Sequence, residues 1–216
     1  MEIAQNVFRI KSEFVSCYLI ITPADLILID SGLSFTPKAL TSLVHQLGRD
    51  ISQLTKVLIT HADGDHIGGA PTLLQQTHAK LFASEIESEA ITAGVMSRPL
   101  SPHGIERIFY KLGGLFMPIK PCAVDGTLHP GDILPILGGL VVLATPGHTP
   151  GHISFFLQNQ KVLFSGDSIQ FTSTALLPST GANTWNETIA RHSYEEQMSL
   201  SPTLICGGHG MRKLSG

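Results

Sequence analysis

The stretch ITHADGDHIGG, residues 59–69, places two histidines and two aspartates within six consecutive positions. It overlaps the end of KVLIT, residues 56–60, a short β-branched run that predicts a strand. The ionisable side chains are therefore expected on the loop at the carboxyl end of that strand. Gly68 and Gly69 then permit a tight turn into the next element. Imidazole and carboxylate are ligands of zinc, iron and manganese, so this loop predicts a metal site.

Three later segments repeat the arrangement of an apolar strand followed by a glycine-containing turn with metal-ligand residue types. They are TPGHTPGH (145–152) with His148 and His152, FSGDS (164–168) with Asp167, and CGGHG (206–210) with His209. Two divalent ions need roughly six or seven protein ligands plus solvent. The four segments together supply that number, whereas a single histidine on a predicted helix, such as His45, is better explained by packing or surface exposure. Asp30, which ends another apolar run, is expected to act as a cap or hydrogen-bond anchor.

Composition limits the classes of function that are compatible with this chain. It has 216 residues, of which 43% are hydrophobic and 14% charged, and a formal net charge of −3. These values predict a single globular domain spanning 1–216 and give no support for nucleic-acid or membrane binding. The three cysteines are far apart in sequence, and MEIAQNVFRIKSEF at the start lacks the basic flank and apolar run of a signal peptide. Both features predict a cytoplasmic protein.

Strand and helix signals alternate along the chain. AQNVFRI, VSCYLIIT and DLILID predict an antiparallel meander, and Thr36-Pro37 predicts the start of a helix over PKALTSLVHQLG. Capping boxes are predicted at Ser84–Glu87 and Thr184–Glu187, and LIC (204–206) is predicted as the last strand. YLIITPADLILIDS (18–31) and FFLQNQKVLFSGDS (155–168) share a strand–turn–strand–Asp-Ser pattern, which indicates two related halves. The fold class is therefore α/β with mixed sheets.

The ordered set of motifs H-x-D-x-D-H (61–66), GHTPGH, SGD and GGHG resembles the metallo-β-lactamase superfamily, whose first motif is usually H-x-H-x-D-H. The resemblance covers essentially the whole chain and is specific for the fold, not for the substrate. It implies a four-layer αββα sandwich, in which two facing mixed β-sheets are flanked by helices. The metal site would lie at one edge of the two sheets.

The resemblance also implies a ligand set. Carried over by position, His61, Asp63 and His148 would hold the first metal, while Asp65, His66 and His209 would hold the second. Asp167 would bridge the two ions, and Asp65 is in addition assigned a catalytic role. His152 is expected to support the ligands without binding metal itself.

Asp63 departs from the family pattern, because most relatives have histidine at this position. With Asp63, three aspartates and a bridging hydroxide carry four negative charges, which balance the four positive charges of two divalent ions. With histidine at position 63, the same count leaves one positive charge. We expect the extra carboxylate to lower Lewis acidity and to favour iron or manganese over zinc. The alternative is that Asp63 still binds zinc through one oxygen, and the sequence leaves both open. Two divalent ions are expected, with zinc the leading candidate and iron or manganese kept open because of Asp63.

The function implied by the resemblance is a hydrolase of small ester, thioester or lactone bonds that uses a metal-bridging hydroxide. Two alternatives stay open: an iron oxidoreductase similar to the sulfur dioxygenases, favoured only by Asp63, and a metal-binding protein without turnover. The expected partner is a small-molecule substrate. Residues 97–121 are apolar at near-helical spacing, which predicts a helix covering the core, a lid over the metals or a homodimer surface. SIQFTSTALLPSTGAN (168–183) is expected at the rim of the site, with Phe171 and Leu176 as candidate contacts.

Overall fold

A computed structural model describes residues 1–12, 14–99 and 119–214 of the chain. Most of the segment predicted as a lid or dimer surface, including Ile105, Phe109 and Leu112, lies outside these ranges, and its role stays a prediction. Within the described residues no helix is long and apolar enough to cross a bilayer.

Within the described residues, the first sheet has seven strands, which lie side by side in the order of the sequence. They are β1 (Glu2–Ala4), β2 (Val7–Lys11), β3 (Ser16–Ile21), β4 (Leu26–Ile29), β5 (Leu54–Leu58), β6 (Lys80–Ala83) and β7 (Gly126–Thr127). The pairs from β1 to β4 are antiparallel, which confirms the predicted meander. The pairs from β4 to β7 are parallel, so the sheet is mixed.

Six strands from the described part of the chain form the second sheet, in the order β15, β14, β11, β10, β9, β8. These are β8 (Ile133–Leu134), β9 (Leu140–Ala144), β10 (Ile153–Leu157), β11 (Val162–Gly166), β14 (Leu204–Gly207) and β15 (Met211–Lys213). LIC is therefore the penultimate strand, because the chain turns back after His209 and adds β15 at the edge. A separate hairpin joins β12 (Ile169–Phe171) to β13 (Leu176–Pro178).

The helices each begin at or next to a proline, a glycine or a cap residue. They are α1 (Thr36–Gln46), α2 (Gly64–Ile67), α3 (Ala70–Gln76), α4 (Glu85–Ala93) and α5 (Glu187–Ser199). Two N-caps differ from the sequence predictions. The N-cap of α1 is Phe35 with no side-chain cap bond, and α5 is capped by Asn186, whose Oδ1 accepts from Ile189 N at 3.1 Å. The predicted capping box at Thr184 is thus wrong, because the Glu187 side chain instead accepts a hydrogen bond from the backbone amide of Gly181.

Alternating side chains divide the molecule into layers, as expected for strands whose neighbours point to opposite faces. On β3, Leu19 packs toward α1, α3 and α4, while Ile20 faces the second sheet. On the second sheet, Phe155 faces inward and Phe156 packs toward α5. The two sheets therefore face each other and are flanked by helices, which is the predicted αββα sandwich.

The two related halves predicted from the sequence correspond to matching pieces of the two sheets. Each half has an antiparallel hairpin, β3–β4 or β10–β11, whose second strand pairs in parallel with the strand after a helix. Asp30 follows β4 and Asp167 follows β11. These two aspartates consequently lie at equivalent strand ends.

Candidate metal centre

All four motif segments follow the carboxyl ends of strands, β5 in the first sheet and β9, β11 and β14 in the second. His61 to His66 follow β5, Asp167 follows β11, His209 follows β14, and His148 lies in the turn from β9 to β10. Carboxyl ends of parallel strands in facing sheets open toward one edge of the molecule. Residues far apart in sequence are thereby placed around a single point.

The first group of ligand-type side chains consists of His61, Asp63 and His148, whose ligand atoms all lie within 4.8 Å of one another. Asp63 Oδ2 is 3.4 Å from His61 Nε2 and 3.3 Å from His148 Nε2. His61 and His148 are buried, and Asp63 is nearly so. We call this group the first cluster.

The second cluster consists of Asp65, His66 and His209, whose ligand atoms also lie within 4.8 Å of one another. His209 Nε2 is 3.4 Å from Asp65 Oδ2. His66 is fully buried, whereas the side chain of His209 is 48% exposed. The second cluster is therefore the more open of the two.

Asp167 lies between the two clusters. Its Oδ2 is 3.8 Å from His148 Nε2 in the first cluster and 3.1 Å from His209 Nε2 in the second, and its Oδ1 is 3.3 Å from His66 Nε2. This position fits the bridging role expected for Asp167.

Hydrogen bonds on the far side of the rings fix two histidine tautomers through Asp30. The carboxylate of Asp30 accepts from Thr60 Oγ1 at 3.0 Å and lies 2.8 Å from His66 Nδ1. Because the Thr60 hydroxyl donates its hydrogen bond to Asp30, its oxygen is left to accept a hydrogen bond from His61 Nδ1 at 3.0 Å. Both Nδ1 atoms therefore carry hydrogen, and when the rings are neutral the lone pairs of both Nε2 atoms face the centre. Asp30 is thus the hydrogen-bond anchor that the sequence predicted.

The other two ligand-type histidines have partners from outside the motifs. His209 Nδ1 donates to the carbonyl oxygen of Phe14 at 2.7 Å, which leaves its Nε2 unprotonated when the ring is neutral. His148 Nδ1 lies 3.2 Å from Ser179 Oγ. Ser179 belongs to the segment 168–183, which was expected at the rim and contributes in this way to the position of His148.

Eight buried side-chain atoms have no hydrogen-bond partner among the described residues, and three of the eight belong to ligand-type side chains that face the centre: His61 Nε2, His66 Nε2 and Asp167 Oδ1. Buried polar atoms are rarely left unsatisfied, so a missing partner calls for an explanation. Tetrahedral coordination at zinc bond lengths would separate ligand atoms by about 3.3–3.4 Å, close to the distances found here. Gly208 adds to this fit, because a Cβ there would contact both Asp167 Oδ1 and the ring of His66. The residues present fit a divalent metal ion in each cluster.

His152 is not available as a ligand. Its Nε2 accepts from the backbone amide of Asp167 at 3.2 Å, and its Nδ1 lies 2.8 Å from Thr145 Oγ1. Burial, together with the neighbouring His61, holds the pKa of His152 well below its ordinary value. A neutral His152 that positions Asp167 agrees with the expected supporting role.

The pKa shifts at the site arise because buried histidines and carboxylates lie close to one another. Burial alone would raise the pKa of Asp167, but His66 and His209 hold it well below its ordinary value, and the pKa of Asp65 is lowered for a similar reason. Asp167, Asp30 and Asp65 raise the pKa of His66 against the opposing effect of burial. Hydrogen bonds to Asp167 and Asp65 raise the pKa of His209 to about 10. Without a metal, protons on these histidines therefore balance the carboxylates.

Arg98 is a member of the site that the sequence did not identify. Its Nη1 donates to Asp63 Oδ1 at 2.8 Å and its Nη2 to Asp63 Oδ2 at 2.6 Å. The guanidinium side chain is only 3% exposed. Nothing in the sequence links Arg98 to a residue thirty-five positions earlier.

Glu87 is a second residue that the sequence placed in another role. Ser84 does cap α4, with Oγ accepting from Glu87 N at 3.4 Å, but the Glu87 side chain does not complete a capping box. It is fully buried and accepts from Ala62 N at 2.8 Å and from Thr149 Oγ1 at 2.6 Å. Glu87 therefore ties the loop of the first motif to the loop that carries His148.

The fold and this arrangement of side chains define a class of protein. The family model described as the metallo-beta-lactamase superfamily matches residues 11–209, and the chain belongs to that superfamily. Metal-dependent hydrolysis is the activity that the family and its named metallo-hydrolases support.

Individual relatives are similar over most of the chain. "Uncharacterized protein YobT" of Bacillus subtilis is 30% identical over 91% of this chain and 83% of its own length. "Probable metallo-hydrolase YflN" of the same organism is 28% identical over 78% of this chain and 66% of its own length. Among solved structures, the metallo-beta-lactamase family protein TTHA1429 from Thermus thermophilus has a TM-score of 0.72 and 21% identity. The match covers 97% of this chain and 75% of that protein, which shows the fold alone.

Proposed function

We propose that this protein hydrolyses small ester, thioester or lactone bonds with two divalent metal ions, zinc first among them. The observation that carries the proposal is the set of unpartnered buried atoms, two imidazole nitrogens and one carboxylate oxygen, directed at one centre. Asp167 lies between the clusters within 3.8 Å of ligand nitrogens from each, which supports two neighbouring ions. Bound divalent ions would supply Lewis acidity toward a carbonyl oxygen and would activate water for attack.

The chain itself supplies proton handling through Asp65. The side chain of Asp65 is 18% exposed, and its pKa lies below the ordinary value, so it is ionised at neutral pH. An ionised carboxylate at the edge of the centre is placed to accept the proton of the attacking water and to return it to the leaving group. Asp65 thus combines the roles of ligand and proton carrier in this proposal.

The surroundings of the centre favour an uncharged, partly apolar substrate. Phe14 and Trp185 are exposed aromatic residues, and each is one backbone hydrogen bond from a ligand-type histidine. The Phe14 carbonyl holds His209, and the Trp185 amide donates to the His148 carbonyl at 3.1 Å. Arg98, which could have bound an anionic substrate, is occupied on both Nη atoms by Asp63.

The test is a substrate screen on protein stripped of metal and reloaded separately with zinc, manganese or iron. Paired esters, thioesters and lactones with apolar or anionic acyl groups would be compared at equal concentration. We expect hydrolysis by the zinc-loaded or manganese-loaded form, with higher kcat/KM for the apolar member of each pair. Asp65→Asn should reduce kcat at least about 100-fold, in the range of general acid–base catalysis.

His192→Gln is a matched control, because His192 lies on the surface with its side chain 72% exposed. It should retain full activity in the same screen. Metal binding without hydrolysis in any loaded form would overturn the proposal. Oxygen consumption by the iron-loaded form instead would move the function to the oxidoreductases.

A further inference from the structure

Arg98 donates hydrogen bonds to both carboxylate oxygens of Asp63. The two donor–acceptor distances are 2.8 Å and 2.6 Å, and the fork geometry is the strongest form of arginine–carboxylate contact. Both side chains are nearly excluded from solvent, at 3% exposed for Arg98 and 12% for Asp63. A buried arginine keeps its charge, so the two residues form an ion pair with no net charge.

The pair leaves Asp63 able to face the centre. Asp63 Oδ2 accepts from Arg98 and also lies 3.4 Å from His61 Nε2 and 3.3 Å from His148 Nε2. A carboxylate oxygen has more than one lone pair, so contact with the guanidinium does not use up its capacity. Asp63 can therefore act as a ligand while it is held by Arg98.

Arg98 changes the charge count that made Asp63 unusual. The carboxylates of the site are those of Asp63, Asp65 and Asp167, and the guanidinium cancels one of them. The first cluster then has the same formal charge as one with a neutral histidine at position 63. The reason for expecting lower Lewis acidity and a preference for iron or manganese is weakened accordingly.

We propose that Arg98 is a positioning residue, and that Asp63 and Arg98 together act as one uncharged ligand unit in place of a histidine. The proposal rests on the proposed metal-dependent function. Arg98 fixes the direction of the carboxylate and offsets its charge, which lowers the affinity of the first cluster for cations to that of a histidine site.

The test measures zinc affinity by competition with a chromophoric chelator, on the metal-free 216-residue chain. His209→Ala is present in every sample to weaken the second cluster, so that the first cluster dominates binding. Arg98→Met removes the guanidinium charge and leaves a buried anionic ligand, so zinc should bind at least about tenfold more tightly, as expected from charge at close range in a poorly solvated site. A purely structural arginine would give the opposite result, because its loss would only disorder Asp63.

Two further comparisons separate charge from geometry. Arg98→Lys keeps the charge but not the fork, so its zinc affinity should equal or fall below that of the parent. Asp63→His leaves Arg98 buried without its partner, and zinc affinity should fall at least about tenfold by the same electrostatic reasoning. The double variant Asp63→His with Arg98→Met restores an uncharged ligand and should bind zinc within about threefold of the parent.

The outcomes distinguish this inference from the proposed function. If the unsubstituted protein, with His209 in place, binds no zinc, both fail. If the parent binds zinc but Arg98→Met binds it no more tightly, or Asp63→His matches the double variant, the ligand-unit inference alone fails. If Arg98→Met does not fold, as judged by circular dichroism, the comparison of Asp63→His with the double variant decides the question.

Discussion

His66 Nδ1 lies 2.8 Å from Asp30 Oδ2, and both side chains are buried. Asp30 also accepts from the backbone amide of Thr60 at 2.8 Å and from its hydroxyl at 3.0 Å. One carboxylate therefore orients two ligand-type histidines, His66 directly and His61 through Thr60. Such outer partners of a metal ligand fix the tautomer and raise the basicity of the ligand nitrogen.

Asp30→Asn should weaken metal binding without removing a ligand. The amide is neutral and presents one acceptor in place of two, so it cannot serve both Thr60 and His66. We expect zinc affinity to fall about 10- to 100-fold, the usual range for loss of such a partner. Chelator competition measures the change, with Asp132→Asn as a control because Asp132 is an exposed turn residue. Equal affinity in the two variants would remove Asp30 from the proposed support of the centre.

Glu87→Gln should destabilise the fold around the first motif. The amide oxygen can still accept from Ala62 N only if the NH2 group faces the Thr149 hydroxyl, which must then turn from donor to acceptor, and neither hydrogen bond any longer ends on a carboxylate. Loss of buried hydrogen bonds to a carboxylate costs about 1–3 kcal/mol in free energy of unfolding. Urea denaturation of the metal-free protein would measure this loss in free energy of unfolding.

Glu89→Gln is the matched control for Glu87→Gln, because Glu89 is exposed on the same helix. Its free energy of unfolding should stay within about 0.5 kcal/mol of the parent, as for most surface changes. If the two variants were equally stable, Glu87 would not be a tether between the motif loops.

Gly208→Ala should lower zinc affinity, because it adds a methyl group beside the ligand-type side chains. The added Cβ would lie against Asp167 Oδ1 and the His66 ring, where the second cluster meets the bridging carboxylate. We expect at least about a tenfold loss of zinc affinity, since a displacement of one ligand disturbs bond lengths that tolerate only about 0.2 Å. Gly210→Ala is the control in the same loop, because its Cβ would meet the side chain of Phe171 instead. Similar zinc affinities in both variants would mean that Gly208 has no special place at the centre.

The sequence predicted the fold and the ligand-type residues because each leaves a local signal. Alternating apolar runs mark the strands, and His or Asp beside glycine marks the turns that follow them. Asp30 was recognised as an anchor for the same reason, since it ends β4 as Asp167 ends β11.

Arg98 and Glu87 could not be found in this way, because their roles depend on contacts between distant parts of the chain. Asp63 and Arg98 are thirty-five residues apart, and Glu87 contacts Thr149 across sixty-two. Glu87 also satisfied a local pattern, the capping box, that competed with its actual use. The N-cap of α5 was misplaced because Thr184 and Asn186 are both good caps and only the path of the chain selects between them.

The stability of the metal-free protein should fall as the pH rises above neutrality. Neighbouring carboxylates raise the pKa of His66, and that of His209 to about 10, so both histidines are protonated in the folded state near pH 7. A group with a raised pKa contributes fully below its ordinary value, about 6.5 for histidine, and that contribution is lost as the pH rises toward the folded value. The carboxylates, whose pKa values are lowered, contribute above about pH 4 and lose that contribution in acid.

Urea denaturation of the metal-free protein between pH 5 and pH 10 would test this prediction. We expect the free energy of unfolding to be highest between about pH 5 and pH 7 and to decline through pH 10. His209→Gln should decline less steeply, because one of the two titrating imidazoles is gone. A parent protein as stable at pH 10 as at pH 7, or a His209→Gln variant with an unchanged slope, would show that these histidines do not balance the charge of the metal-free centre.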